Sequence, residues 1–175
     1  MSKPINVDIT LWSENHNGLP CVKLVRSYLS ESQLIEPLIL VLKQMLKVWG
    51  FNDAYTGGLS SYALFLMIVS FLQEKRKPAL KSEVNMGETL LEFIRYYAQL
   101  DFSQYAICCK LPGEQSEKQN LYLNTNSDFN FFLQPRVVID DPLMASNNVG
   151  KSAFRFQEIK VSPKQLSLLT LSDIL

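Results

Sequence analysis

Two lysines four residues apart, Lys43 and Lys47, head the stretch 43–72, KQMLKVWGFNDAYTGGLSSYALFLMIVSFL. On a helix that spacing puts both ammonium groups on one face, with apolar Leu42, Met45 and Leu46 on the others. Such a pair suits an anion. A Gly57-Gly58 turn follows, and Ser60, Ser61 and Tyr62 then open an almost wholly apolar run to Leu72, the pattern of a buried helix. The N-terminus of that helix offers free backbone N–H groups and the positive end of the helix dipole. It is a place for a phosphate, strengthened by serine hydroxyls and extended towards a base by the tyrosine ring. Two lysines, two serines and an aromatic together suggest a nucleotide. A plainer reading stands beside this one: Ser60 or Thr56 caps the helix, and the lysines form a solvated face.

Other chemistry-bearing residues are few. Asp8 lies on the polar face of INVDITL, residues 5–11, whose alternation is that of a half-buried strand. The segment DDPLMASNNVGKSAF, from Asp140 to Phe154, reads as a loop of small and amide residues that can bring donors close to a planar ligand. Lys75, Arg76, Lys77 and Lys81 form a local basic cluster, either a solubilising surface or a contact for an RNA backbone. His16 is the one histidine, and the cysteines, Cys21, Cys108 and Cys109, are three, with no Cys-x-x-Cys pair. That pattern argues against a zinc site, a histidine relay and a disulfide framework, and it suits an intracellular chain with reduced thiols.

The elements that must position these groups follow from periodicity. Apolar spacing of three and four predicts helices over 19–29, 34–49 and 85–100, the last with Met86, Leu90, Leu91, Phe93, Ile94 and Tyr97 inward. Pro37 falls in the first turn of the second of these helices, where its missing N–H costs nothing. The buried helix spans 59 to 73. Residues 105–110 and 136–139 read as short strands, and helix resumes from Ser152 until Pro163 breaks it. At 175 residues, 47% hydrophobic and net charge zero, the chain suits one well-buried core and has no overall pull towards nucleic acid. The run 59–72 would make a helix about 21 Å long, short of the roughly 30 Å hydrocarbon core. It predicts a core helix and no membrane partner.

Several segments, in order, carry a resemblance. VLKQMLK followed by NDAYTGGLSSYALFLMIVSFLQ, then NMGETLLEF, then DDPLMASNNVGKSAF closely resemble the central domain of the template-independent RNA nucleotidyltransferases, the atypical poly(A) polymerases and terminal uridylyltransferases. VDIT at residues 7–10 resembles the strand that carries the third metal-binding aspartate of that family. Asn17-Gly18 resembles the pair that opens the next helix, displaced here by the insertion SENHN.

The resemblance implies an α+β, mainly helical fold, the PAP-associated central domain of a polymerase-beta-like nucleotidyltransferase with a few short strands. Residues 1–18 would be the last strand of the catalytic domain and 19–175 the central, nucleotide-recognition domain. It implies attack of an RNA 3′-hydroxyl on the α-phosphate of a nucleoside triphosphate, with Mg2+ or Mn2+ in the complete enzyme. Asp8 would be the catalytic metal ligand, Asn17 would contact the ribose, and Lys43, Lys47 and Ser61 would hold the triphosphate. Tyr62 would stack on the base, while Asp141, Asn147 and Asn148 would read its edge. The family's Gly-Ser turn and Asp-x-Asp pair do not occur in these 175 residues, so the chain on its own is expected to be inactive. Five places after Pro142, uridylyl-adding members tend to carry histidine and adenylyl-adding ones asparagine; this chain has Asn147, which favours ATP over UTP. Asn148 stands where the adenylyl members commonly have Asp, and Met144 where some uridylyl members place a carboxylate. A nucleus or cytoplasm location and an RNA 3′ end as partner complete the expectation. The reading from a different class is a non-catalytic module of the same fold that binds nucleotide, RNA or protein.

Overall fold

The computed structural model describes residues 18–75, 85–114, 119–123 and 137–159. Its elements run α1 (Gly18–Glu31), α2 (Ile35–Val48), a 3-10 turn (Ala54–Thr56), α3 (Ser61–Lys75), α4 (Met86–Gln99), β1 (Tyr105–Ile107), β2 (Leu121–Leu123), β3 (Asp140–Asp141), β4 (Met144–Asn148) and α5 (Phe156–Ile159).

Helix α3 is the axis of the molecule. Every residue from Ala63 to Leu72 is buried, so it is apolar all round and needs partners on each side. Leu24 and Tyr28 of α1, Leu38, Leu42, Met45 and Leu46 of α2, and Phe93, Ile94 and Tyr97 of α4 supply them. Because α3 carries polar backbone through an apolar core, its neighbours' few polar atoms are tied to it. The Tyr97 hydroxyl donates to the Met67 carbonyl at 2.8 Å and the Asn120 amide to the Ser70 carbonyl at 2.8 Å. Among the described residues no helix is long and apolar enough to cross a membrane.

The sheets are small. β1 pairs antiparallel with β2, Tyr105 opposite Leu123, and β3 pairs antiparallel with β4. The strand expected over 105–110 ends at Ile107: the Cys108 N–H still donates to the Asn120 carbonyl at 2.9 Å, but at Lys110 the chain pairs with a side chain. The Gln73 carboxamide accepts from the Lys110 N–H and donates to the Lys110 carbonyl, each at 2.9 Å, taking the place of a neighbouring strand. Of the expected 136–139 strand, buried Val137 lies in a bend and buried Ile139 makes one parallel bridge to Ile107, but the ladder itself starts at Asp140; Arg136 lies outside the described residues.

Every helix boundary shifts by a residue or more from the spacing, and three of the shifts have a visible cause or consequence. α3 begins at Ser61, because the Leu59 N–H is held by the Phe51 carbonyl at 2.9 Å and Ser60 caps the helix. α4 has Asn85 as its cap, which leaves Met86 exposed rather than inward. Helix resumes only at Phe156, after turns through residues 150–155. Pro163 lies outside the described residues, as do the strand expected at 5–11, Asp8, His16, Asn17, Arg76, Lys77 and Lys81. Lys75 is no free cation. It pairs with Glu92 at 2.9 Å and its ammonium lies 5.8 Å from the Phe71 ring.

Candidate functional site

α2 presents exposed Lys43 and Lys47 on its outer face while Leu42, Met45 and Leu46 bury theirs. The chain must then turn back so that α3 can start beside them. Asp53 makes the turn, its side chain accepting from the Tyr55 N–H at 2.9 Å and its carbonyl from the Gly58 N–H at 2.8 Å. Gly57 adopts a left-handed φ of 87°. A Cβ on Gly58 would run into the Phe51 carbonyl. The expected Gly-Gly turn is thus required twice over, once by conformation and once by space.

The two serines after the turn divide the work. Ser60 Oγ accepts from the Ala63 N–H at 3.1 Å, so it is the cap of α3. Ser61, exposed, lines a cleft of about 360 Å3 together with Lys43, Lys47, Gln44 and Asn52. The capping reading thus holds for Ser60, and its neighbour Ser61 shares a cleft with both lysines. Gln44 and Asn52 escaped the sequence reading. Gln44 sits between the lysines on the helix, and nothing in the spacing shows that Asn52 turns to the same cleft. A second hollow, between Met45, Trp49, Met67 and Phe93, offers a nucleotide no charged group.

Tyr62 carries the site onward. Its hydroxyl donates to Asp141 Oδ1 at 3.3 Å. Burial, followed by the charge of Asp141, pushes its phenol far above its ordinary pKa, so it remains a donor. Cys21 of α1 sits against the same pair, its thiol pushed up by burial and by Asp141, with the Tyr62 hydrogen bond opposing. Nothing in the spacing pointed to Cys21.

The DDPLMASNN segment is a hairpin rather than a loop. Asp140 pairs with Asn148 and Asp141 with Met144, leaving residues 145–147 bulged out of register, with Ser146 in the left-handed region at φ 68°. The Asp141 carboxylate organises it: Oδ1 accepts from the Leu143 N–H at 2.9 Å and Oδ2 from the Asn147 amide at 2.8 Å. Asn148, expected at the base edge, has its carboxamide engaged with the protein's own backbone. Its Oδ1 accepts from Ile139 and Gly150 N–H at 2.9 and 2.8 Å, and its Nδ2 donates to the Val137 carbonyl at 3.2 Å. The structure thus brings Lys43, Lys47 and Ser61 to one cleft and links Tyr62, Asp141 and Asn147 by hydrogen bonds, with the adjacent Ser61 and Tyr62 both at the start of α3.

Relatives share this sequence along most of its length. The chain is 31% identical over 166 residues to the poly(A) RNA polymerase gld-4 of Caenorhabditis elegans, covering 89% of this chain and 18% of that protein. It is 32% identical over 154 residues to the inactive poly(A) RNA polymerase protein Trf4-2 of Drosophila melanogaster, covering 86% and 37%. These relatives support the atypical poly(A) polymerase and terminal uridylyltransferase family over most of this chain. No family model matches it.

The fold agrees. The polymerase core of TRAMP, an RNA surveillance complex, superposes with a TM-score of 0.69 at 24% identity, covering 93% of this chain and 54% of that one. A histidine-to-asparagine mutant of the Cid1 poly(U) polymerase bound to MgATP gives 0.68 at 18% identity, covering 89% and 55%. The mainly helical fold with a few short strands is therefore that of these nucleotidyltransferases. The chain spans about half the length of these solved chains, and 18% and 37% of the two curated relatives. Among the described residues no three carboxylate, imidazole or thiol groups meet to hold a metal.

Proposed function

We propose that this chain is the nucleotide-binding half of an RNA 3′-end nucleotidyltransferase, and that the complete enzyme adds AMP from ATP in preference to UMP from UTP. The observation that carries the reading is the single cleft shared by Lys43, Lys47 and Ser61, whose neighbour Tyr62 is bonded to Asp141. Two ammonium groups and a hydroxyl beside a helix N-terminus hold the triphosphate by charge and hydrogen bonds. Tyr62, fixed through its hydroxyl, offers a ring for the base, and the hairpin brings Asn147 to the base edge. Asn148 serves by closing that hairpin. By resemblance Asp8 and Asn17, outside the described residues, would add the metal ligand and the ribose contact. A divalent ion, Mg2+ or Mn2+, would accompany the triphosphate, as MgATP does in the Cid1 mutant. That mutant exchanges the same two residue types, histidine and asparagine, that the resemblance sets against each other at position 147.

The test is the complete protein containing this chain, given an RNA primer and each nucleoside triphosphate separately. Preferential extension with ATP is expected, moving towards UTP on Asn147→His; preferential UTP addition by the unaltered protein would overturn the adenylyl assignment. A second reading draws on the inactive Drosophila relative: a non-catalytic module that keeps the nucleotide cleft. Nucleotide binding without primer extension by the complete protein would select it.

A further inference from the structure

The hollow between α2, α3, α4 and α5 is walled by buried Leu42, Met45, Met67 and Phe93, and half-buried Trp49 and Ile159 stand at its mouth. No charged residue lines it, and the Tyr97 hydroxyl in its wall is spent on the Met67 carbonyl. Its volume of about 80 Å3 is near half the roughly 150 Å3 that takes a benzene ring, so it suits inserted side chains better than a free ligand. Ile159 at that mouth is also where the described chain leaves α5. A four-residue helix cannot stand by itself. Its footing is the turn ahead of α3: the Arg155 N–H donates to the Gly57 carbonyl at 3.0 Å, and the Arg155 guanidinium lies 4.6 Å from the centre of the Phe51 ring. Its apolar residues, Phe156 and Ile159, both line the hollow.

We propose that residues 160–175, outside the described residues, lie across this hollow with Leu168, Leu171 and Leu175 turned into it. The sequence KVSPKQLSLLTLSDIL is suited to that place. Pro163 ends the line of α5, yet with Ser162 before it and Gln165 two residues after it the segment has the start signals of a new helix, a capping box with proline at the first position. Val161 and Leu166 stand at the two positions of a hydrophobic staple. Residues 160–162 give roughly 10 Å of link in which the chain turns back. On the helix that follows, Leu168, Leu171 and Leu175 share a face at spacings of three and four. Covering Phe156 and Ile159 in this way holds α5 against the Gly57 turn. The inference goes beyond the nucleotide-binding reading and does not depend on it.

Tryptophan fluorescence of the full chain tests it, since Trp49 is one of two tryptophans and Trp12→Phe leaves it alone. In that background Trp49 is expected to emit towards the blue and to resist quenching by acrylamide, at every protein concentration. Serine at Leu168, Leu171 and Leu175 together should shift the emission to the red, strengthen quenching and speed tryptic cleavage at Lys164. Ala98→Leu fills the hollow from its own wall, so it should speed the same cleavage while Trp49 stays shielded, a combination that general loss of the fold would not give. Emission and quenching unchanged by the three serines would overturn the proposal. Shielding that disappears on dilution would overturn it too, and would give the hollow to a second copy of the chain.

Discussion

The two halves of the site are built by different means. The proposed triphosphate corner stands on α2 and α3, whose inner faces are the core, and its cations need no partner to hold them in place. The hairpin β3–β4 has two residues in one strand and five in the other, with a bulge between, and takes its shape from the side chains of Asp141 and Asn148. Charge is delivered by rigid helices, where position tolerates error because Coulomb attraction falls slowly with distance. The proposed base reading would work by hydrogen bonds, which fail below good geometry, and Asn147 is itself hydrogen-bonded to Asp141.

Breaking the corner should cost most. Gly58→Ala forces a Cβ into the Phe51 carbonyl and is expected to destabilise the fold by about 2–3 kcal/mol, read as a lower denaturant midpoint. It should weaken tripolyphosphate binding as well, since the turn sets α3 beside α2. Asn148→Ala strips partners from three backbone groups, the N–H of Ile139 and Gly150 and the Val137 carbonyl, and should cost roughly 2 kcal/mol. Unlike the first change, it should leave tripolyphosphate affinity intact while narrowing the preference among bases. If both variants weakened tripolyphosphate equally, the two regions would not be separable. Ser146→Gly relieves a left-handed residue in the bulge and should raise stability by less than about 1 kcal/mol, with the base preference reduced as the bulge loosens.

Much of the corner was legible beforehand. Spacing alone put Lys43 and Lys47 on one face, the double glycine marked a turn that proves to be sterically enforced, and the apolar run to Leu72 declared the central helix. The hairpin was not legible. Asp-Asp-Pro and a string of amides look like loop because nothing alternates in them; the strands exist through Asp141 and Asn148 bonding to backbone, a tertiary fact with no period. The same blindness shortened the strand after Tyr105, since Gln73 pairs with Lys110 from 37 residues away. Met86 was placed inward by periodicity, yet it falls in the first turn beyond the Asn85 cap, where α4 overhangs the core. Cys21 was passed over because its neighbourhood, Tyr62 and Asp141, is assembled only by the fold.

The central claim is that Lys43, Lys47 and Ser61 form one triphosphate site. A calorimetric titration of this chain with ATP, repeated on the Lys43→Ala, Lys47→Ala double variant, addresses it directly. Weak binding that loosens as salt rises is expected for the unaltered chain, because exposed charges carry it. The double variant should show no heat of binding at the same concentrations. An isotherm unchanged by the double substitution would return both lysines to the solvated face of α2 and remove the foundation of the nucleotide site.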